Sequence, residues 1–260
     1  MSPSLTAPVQ QFFSWFGSVS LFGLRAIRDA FRRPLETREI LRQFYEIGWR
    51  SAPLVTVSGL AIGVVLSMHT RSTMERFGAE AMIPTALAIA LFSETGPLLT
   101  ALLVAGRVGA GIGAELGGMR VTEQIDALES LAVNSFKYLA VTRVIACIIA
   151  LPILTTIMNS AGILGGFFAE KVISNISLQL YLNRAFSNIG FVDYIPPTAK
   201  TMVFGFLIGT VSSYLGYNTT GGSEGIGRAS TRSVVFSSIL LIVTNVLLVR
   251  SIFFFFPRGN

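Results

Sequence analysis

Residues 93–129 read SETGPLLTALLVAGRVGAGIGAELGGMRVTEQIDALE, and three unusual features follow one another in them without a gap. An acid, Glu94, and the pair Gly96-Pro97 interrupt an apolar run. Glycines then recur in a ladder, and a short charged stretch with helical periodicity closes the segment. The expectation is a membrane span with a helix break at Gly96 and Pro97, a glycine-packed turn at its end, and a charged helix in the cytoplasm. Such a layout suits a membrane machine driven from outside the bilayer.

Glu94 lies eleven residues after Ile83 and twelve before Gly106. At ~1.5 Å per residue it sits about 16 Å from either end of that run, close to the bilayer middle. A carboxylate there costs at least ~2.5 kcal/mol, so it should face a cavity or a partner. Pro97 has no N–H and clashes with the carbonyl of Ser93, while Gly96 loosens the same turn. The freed carbonyls need internal partners or a wet cavity. Two readings stand: a substrate or gating site, or a structural carboxylate hydrogen-bonded to another helix. A proton relay lacks companions, because no other Asp or Glu falls in the middle of a span.

The apolar texture extends across the chain. Of 260 residues, 52% are hydrophobic and only 13% charged, with a mean hydropathy of +0.64, which places the chain among integral membrane proteins. Crossing ~30 Å of hydrocarbon takes about 20 apolar residues. Five runs qualify: 53–70, 83–106, 144–168, 198–217 and 234–256. None alternates apolar and polar as a barrel strand would. The fold class expected is an all-α integral membrane protein: an N-terminal interfacial amphipathic helical segment (residues 1–50), then a five-span domain (residues 51–260) with a cytoplasmic helix between the second and third spans.

No signal peptide pattern follows Met1. The lone Cys147 excludes an internal disulfide and a cysteine metal cluster. His69, the only histidine, reads as an interfacial polar residue. The formal charge of +6 mainly reports topology. Seven arginines precede Pro53 (Arg25, Arg28, Arg32, Arg33, Arg38, Arg42 and Arg50), and six more basic residues fall in the second-to-third and fourth-to-fifth connections. The positive-inside rule then puts the N-terminus in the cytoplasm and the C-terminus outside. These arginines flank apolar spans, so they fit anionic lipid headgroups rather than nucleic acid.

Trp15, Val19, Phe22 and Ala26 recur at helical spacing, with Phe12 and Phe16 alongside and Arg25, Arg28 and Arg32 toward the end, before Pro34 breaks the segment. This stretch either lies in the interface or packs on the protein's own spans. A second amphipathic stretch, Glu36–Arg50, carries Ile40, Phe44 and Ile47 and enters the first span at Pro53. Outside the membrane, residues 169–197 suggest one or two helices, and Pro196-Pro197 resets the chain before the fourth span.

Gly109, Gly113 and Gly117 recur every four residues beside a second row of Gly106, Ala110, Ala114 and Gly118, spacings that allow close helix approach. Gly109–Ala114 also fits a loose dinucleotide fingerprint, which is rejected because it follows a membrane helix rather than a strand. Treated as one helix, Glu115–Ala132 sorts into a polar face (Glu115, Met119, Thr122, Asp126, Glu129) and an apolar one (Val121, Ile125, Leu128, Ala132). It is either a docking helix with an acidic face or a solvated loop helix. No GxxxxGK[ST], GxSxG or triad constellation occurs, so any ATP chemistry sits in another polypeptide.

At these residues the chain resembles the MlaE/YrbE family, the permease subunits of MCE-type ABC lipid transporters. The resemblance rests on E-x-G-P at Glu94–Pro97 and on AGRVGAGIGAELGGMRVTEQIDALE at Ala105–Glu129. PLVTVSGLAIGVVL from Pro53 and GGSEGIGRASTRSVV at Gly221–Val235 support it. One departure stands out: many members carry an arginine before the glutamate, where this chain has Ser93. The resemblance implies a homodimer of permeases, a cytoplasmic ABC ATPase dimer that binds ATP and Mg, and an outer MCE-domain ring, together moving phospholipid between inner and outer membranes. It implies a lipid cavity lined by Leu66, Thr73, Phe77, Glu94 and Thr95. It also implies ATPase coupling through Glu115, Met119, Arg120, Thr122, Glu123, Gln124, Asp126 and Ala127, with no catalytic residue, metal or cofactor in this chain. The location implied is a bacterial inner membrane, or alternatively a plastid inner envelope. Two other functions remain to be separated from it: an ion-coupled secondary carrier protonated at Glu94, and a non-transporting membrane scaffold.

Overall fold

The computed structural model describes residues 6–33 and 36–255. Pro34 and Phe256, on which expected boundaries fall, the first residues of the N-terminal segment, and the Phe12 side chain lie outside the described residues. Within them the chain is all-helical and strand-free. The helices are α1 (Thr6–Ala30), α2 (Thr37–Met74), α3 (Ile83–Ala90), α4 (Gly96–Val104), α5 (Ala110–Val121), α6 (Gln124–Ser130), α7 (Thr142–Ser174), α8 (Leu178–Phe186), α9 (Phe191–Tyr217) and α10 (Gly222–Phe255). Among the described residues, four helical stretches are long and apolar enough to cross a membrane: Thr37–Phe77, Glu80–Val121, Phe136–Ser174 and Gly222–Ile252. The protein is therefore a multi-pass membrane protein. The expected fourth span falls on α9, which is 27 residues long but more polar than these four.

The longest packing seam joins α2 to α7. On α2 the buried residues are Gln43, Ile47, Ser51, Val55, Gly59, Gly63, Ser67 and Arg71, one every fourth position, and four of the last six are Gly or Ser. In lipid, helices gain little from hydrophobicity against one another, so close van der Waals contact between small residues has to hold them. A Cβ on Gly63 would fall onto the carbonyl of Gly162, and one on Gly165 onto the carbonyl of Leu60. Gly205 and Gly209 of α9 press in the same way on Cys147 and Val144 of α7. Gly63→Val is expected to destabilise the protein by about 1–3 kcal/mol through overpacking, read as a lowered midpoint of thermal unfolding in detergent. Gly48→Val, whose Cβ meets nothing within 4 Å, serves as the control.

The expected ladder is also a packing face. Gly113 meets Ser233 and the carbonyl of Ala229, Gly109 meets Ser212, and Gly117 meets Thr219, so α5 lies on α9 and α10. The second row is different, because Gly106 and Gly118 have open space in front of them.

The Glu36–Arg50 stretch runs into the first span as one helix, since Pro53 faces outward and α2 passes through it unbroken. Three expectations need correction. The helix break at Gly96 and Pro97 is absent: the chain is helical from Ile83 to Val121, with wider π turns at Leu91–Thr95 and Ala105–Gly109. In the first of these, the Gly96 N–H donates to the Leu91 carbonyl five residues back. That wider turn accommodates Pro97 without a break. The glycine-packed turn is likewise helix, and the chain bends only after Val121. Finally, Pro196-Pro197 does not precede the fourth helix but lies inside α9, which starts at Phe191 with the Gly190 N–H donating to the Asp193 carboxylate at 3.1 Å.

α1 packs one side on the protein's own helices, the second of the two readings left open for the N-terminal segment. Val19 and Ala26 are buried, Trp15 sits 4.4 Å from the Phe236 ring, and Phe22 packs on Phe136, Tyr214 and Tyr217. The opposite side leaves Leu21, Leu24, Ile27 and Phe31 exposed.

Candidate functional site

Glu94 is held by side chains from two other helices. The Lys200 ammonium of α9 sits 2.9 Å from Glu94 Oε2, and the Asn245 amide of α10 donates to the same oxygen at 3.2 Å. Lys200 also donates to the Ser93 carbonyl at 3.2 Å, the acceptor that Pro97 cannot serve for want of an N–H. The lysine side chain is 2% exposed and the glutamate side chain 41%. A cation is thus sealed among the helices, and its carboxylate partner points its free side outward. Gly96 stands next in line for steric reasons, because any side chain there would fall on the Asn159 amide of α7.

Neither Lys200 nor Asn245 was singled out in the sequence. The signal was present, since a lysine two residues into an apolar run and an asparagine within the last span are each unusual at membrane depth. Their pairing with Glu94, 106 and 151 residues away, is a property of the fold.

The residues expected to line a cavity do not gather in one chain. Leu66 packs against the apolar cluster that contains Leu87, Leu91, Ile163 and Tyr181, Thr73 is exposed at the end of α2, and Phe77 is exposed in the short turn Glu75–Phe77. Only Thr95 adjoins Glu94. Beside the same turn, a largely apolar groove of about 590 Å³ runs between α7, α8 and α9, walled by Phe92, Ile163, Phe186 and Tyr194.

At the other end of the Ile83–Val121 rod lies the segment expected as one helix from Glu115 to Ala132. The structure splits it. Thr122 and Glu123 form a turn, Glu123 adopts a left-handed conformation at φ 57°, and α6 begins at Gln124. Turn closure explains the split: the Thr122 N–H and hydroxyl both bond the Gly118 carbonyl, and the Glu123 N–H bonds that of Arg120. Across this elbow Arg120 pairs with Asp126 at 2.6 Å. Glu115 pairs with the buried Arg143 at 2.8 Å, which ties α5 to α7. Met119 packs on the core, and Ile125 is fully buried, as its place on the apolar face implies. Glu123, Gln124, Asp126 and Ala127 are left exposed on the outside of the elbow.

α6 is anchored behind by Glu129, whose carboxylate accepts from Ser135 at 2.5 Å and from Tyr217 at 3.0 Å. The Ser135 hydroxyl, and after it that of Tyr217, hold this carboxylate below its ordinary value of 4.5. The sign follows from that depression: the anchor is complete above the ordinary value and is lost as pH falls through the lowered one. Protection of the α6 amides from hydrogen exchange, taken relative to the intrinsic rate at each pH, should therefore fall at acid pH, and Tyr217→Phe with Ser135→Ala should abolish that fall.

The family described as Permease MlaE matches residues 40–250. A probable ABC transporter permease protein of Rickettsia bellii is 41% identical over 237 residues, covering 91% of this chain and 92% of the relative. A second, from Synechocystis, is 34% identical over 214 residues, covering 82% of this chain and 81% of the relative. The chloroplast protein TRIGALACTOSYLDIACYLGLYCEROL 1 of Arabidopsis thaliana is 30% identical over 249 residues, covering 95% of this chain and 71% of its own length.

Proposed function

Since this chain belongs to the MlaE family of ABC transporter permeases, we propose that two copies of it form the membrane half of a pump that moves phospholipid between two membranes. As an ABC permease subunit the chain is not itself an ATPase, and a partnering ATPase subunit is implied. In this reading the partner is a cytoplasmic dimer that binds ATP and Mg, and an outer MCE-domain ring receives or delivers the lipid. The topology proposed is five spans, with α9 as the fourth, the N-terminus in the cytoplasm and the C-terminus in the periplasm of an inner membrane. A homologue in chloroplasts keeps the plastid envelope as the alternative location.

One observation carries the reading. Glu94 lies on a continuous helical rod, Ile83–Val121, and the acidic elbow follows directly at the far end of that rod. About 40 Å separates them at the helical rise, so force applied at Glu123–Ala127 moves the Glu94 turn directly. The open side of Glu94, with Thr95, Leu66, Thr73 and Phe77, would face a lipid cavity completed by the second copy. The small row of Gly106 and Gly118, with nothing packed on it, suits close approach of that copy. That the substrate is a lipid is supported by the relative whose name is that of a galactosyl diacylglycerol.

The test is reconstitution in vesicles with the partner ATPase and a fluorescent phospholipid. Lipid movement that needs ATP and the ATPase subunit is expected. Movement driven by a proton gradient in vesicles without any ATPase would replace this reading with a secondary carrier.

A further inference from the structure

The segment GGSEGIGRASTR, residues 221–232, takes no part in the machinery described above, yet it builds a pocket. The chain leaves α9 and turns through Gly221 and Gly222, both at positive φ (92° and 65°), directly into the first turn of α10. Gly225 packs so tightly on the Thr220 carbonyl that a Cβ there would collide with it. This closes the floor of a cavity of about 230 Å³ whose walls come from three helices: Trp15 of α1, Tyr214 and Asn218 of α9, and Arg228 and Arg232 of α10.

The geometry points to a binding site for the phosphate group of an anionic phospholipid. Arg228 and Arg232 are one turn apart on the same wall of the cavity. Arg228 shares its charge with Glu224 at 3.2 Å, whereas Arg232 has no carboxylate partner among the described residues. The cavity therefore holds an excess of positive charge, and its lining also includes Asn218, whose amide donates one N–H to the Tyr214 carbonyl and keeps a second. Arginine presents a planar fork of donors that matches phosphate oxygens two at a time.

Position selects the lipid over a soluble anion. α1 lends Trp15 to the pocket wall, and its side away from the protein carries the exposed Leu21 and Leu24, with Phe31 just after it. Those side chains belong in hydrocarbon, which puts the adjacent arginines and Trp15 at headgroup level. The volume suits a headgroup phosphate and not a whole nucleotide. A bound headgroup would touch α1, α9 and α10 together and pin the surface helix onto the last helix. None of this depends on which lipid the protein transports, or on whether it transports one.

Trp15 provides the test, since the chain has only two tryptophans and Trp49→Phe leaves it alone as reporter. In detergent–lipid micelles, phosphatidylglycerol with brominated acyl chains is expected to quench Trp15 at about one tenth of the mole fraction needed by brominated phosphatidylcholine. The double variant R228Q/R232Q should lose this preference, and R38Q/R42Q, with the same loss of charge elsewhere, should keep it. Equal quenching by the two lipids, or a preference that survives R228Q/R232Q, would overturn the site. If inorganic phosphate at constant ionic strength abolishes the preference, the pocket serves a soluble anion and the lipid assignment falls. An unchanged Trp15 emission maximum in R228Q/R232Q without brominated lipid shows that α1 is still docked.

Discussion

Glu94→Leu is expected to destabilise the protein by about 3–5 kcal/mol, the usual penalty for stranding one member of a buried ion pair. The charge left behind is Lys200, whose side chain is 2% exposed and whose remaining partner is the Ser93 carbonyl. Lys200→Met leaves the other charge behind, on a carboxylate that is 41% exposed and still bonded by Asn245. If the open side of Glu94 faces a wet cavity, that carboxylate stays hydrated and Lys200→Met costs clearly less. If it faces lipid tails, the two single variants cost about the same. The double variant Glu94→Leu/Lys200→Met removes both charges and should recover most of the loss, since replacing a buried pair by apolar residues of similar size is often neutral. Denaturation midpoints of the four proteins in lipid micelles form a double-mutant cycle that reads the coupling directly. A cycle with no coupling would remove the pair from the argument altogether.

That experiment turns on a partner the sequence did not announce, and the reason is general. Hydropathy marks the spans because the bilayer acts on each segment alone, which is why Pro53–Thr70 and its neighbours could be placed by eye. Glu94 was conspicuous for the same reason, being a single charge in a run of apolar side chains. Its partner depends on how α9 lies against the Leu91–Thr95 turn, and no local pattern encodes that. The glycines divide along the same line. The ladder Gly109, Gly113, Gly117 was legible as a packing face, and the structure seats it on Ser212, Ser233 and Thr219. The equally regular spacing of Gly59 with Gly63 lies in the longest seam in the molecule, between α2 and α7, and could have been found by the same rule, whereas Gly162 with Gly166 makes room for Leu91, Leu87 and Tyr181. Proline misled twice. At Pro97 a π turn absorbs the missing donor, and at Pro196-Pro197 the helix simply begins earlier. The helical period of Glu115–Ala132 correctly put Ile125 inside, but only backbone geometry reveals the bend at Glu123.

The bend sharpens the second large effect. Glu123→Lys is expected to weaken the functional response to the ATPase subunit by about thirtyfold, the scale of a charged hot spot at a protein interface. The unfolding midpoint should hardly move. Glu123 forms no ion pair among the described residues, is exposed, and its left-handed backbone strains lysine no more than glutamate. The substitution therefore changes the charge of the elbow and little else. Asp126→Lys should have the same functional effect with a small additional loss of stability, because it also breaks the pair with Arg120. Ile125→Ala is the opposite case: the side chain is fully buried, so the elbow itself comes loose and stability falls together with function. The readouts are ATP hydrolysis and ATP-dependent lipid movement in the same vesicles. Uncoupling appears as movement lost while hydrolysis persists at its basal rate. Coupled movement at the normal rate in both charge variants would place the drive somewhere other than this elbow, and the 40 Å rod would then be a strut and not a lever.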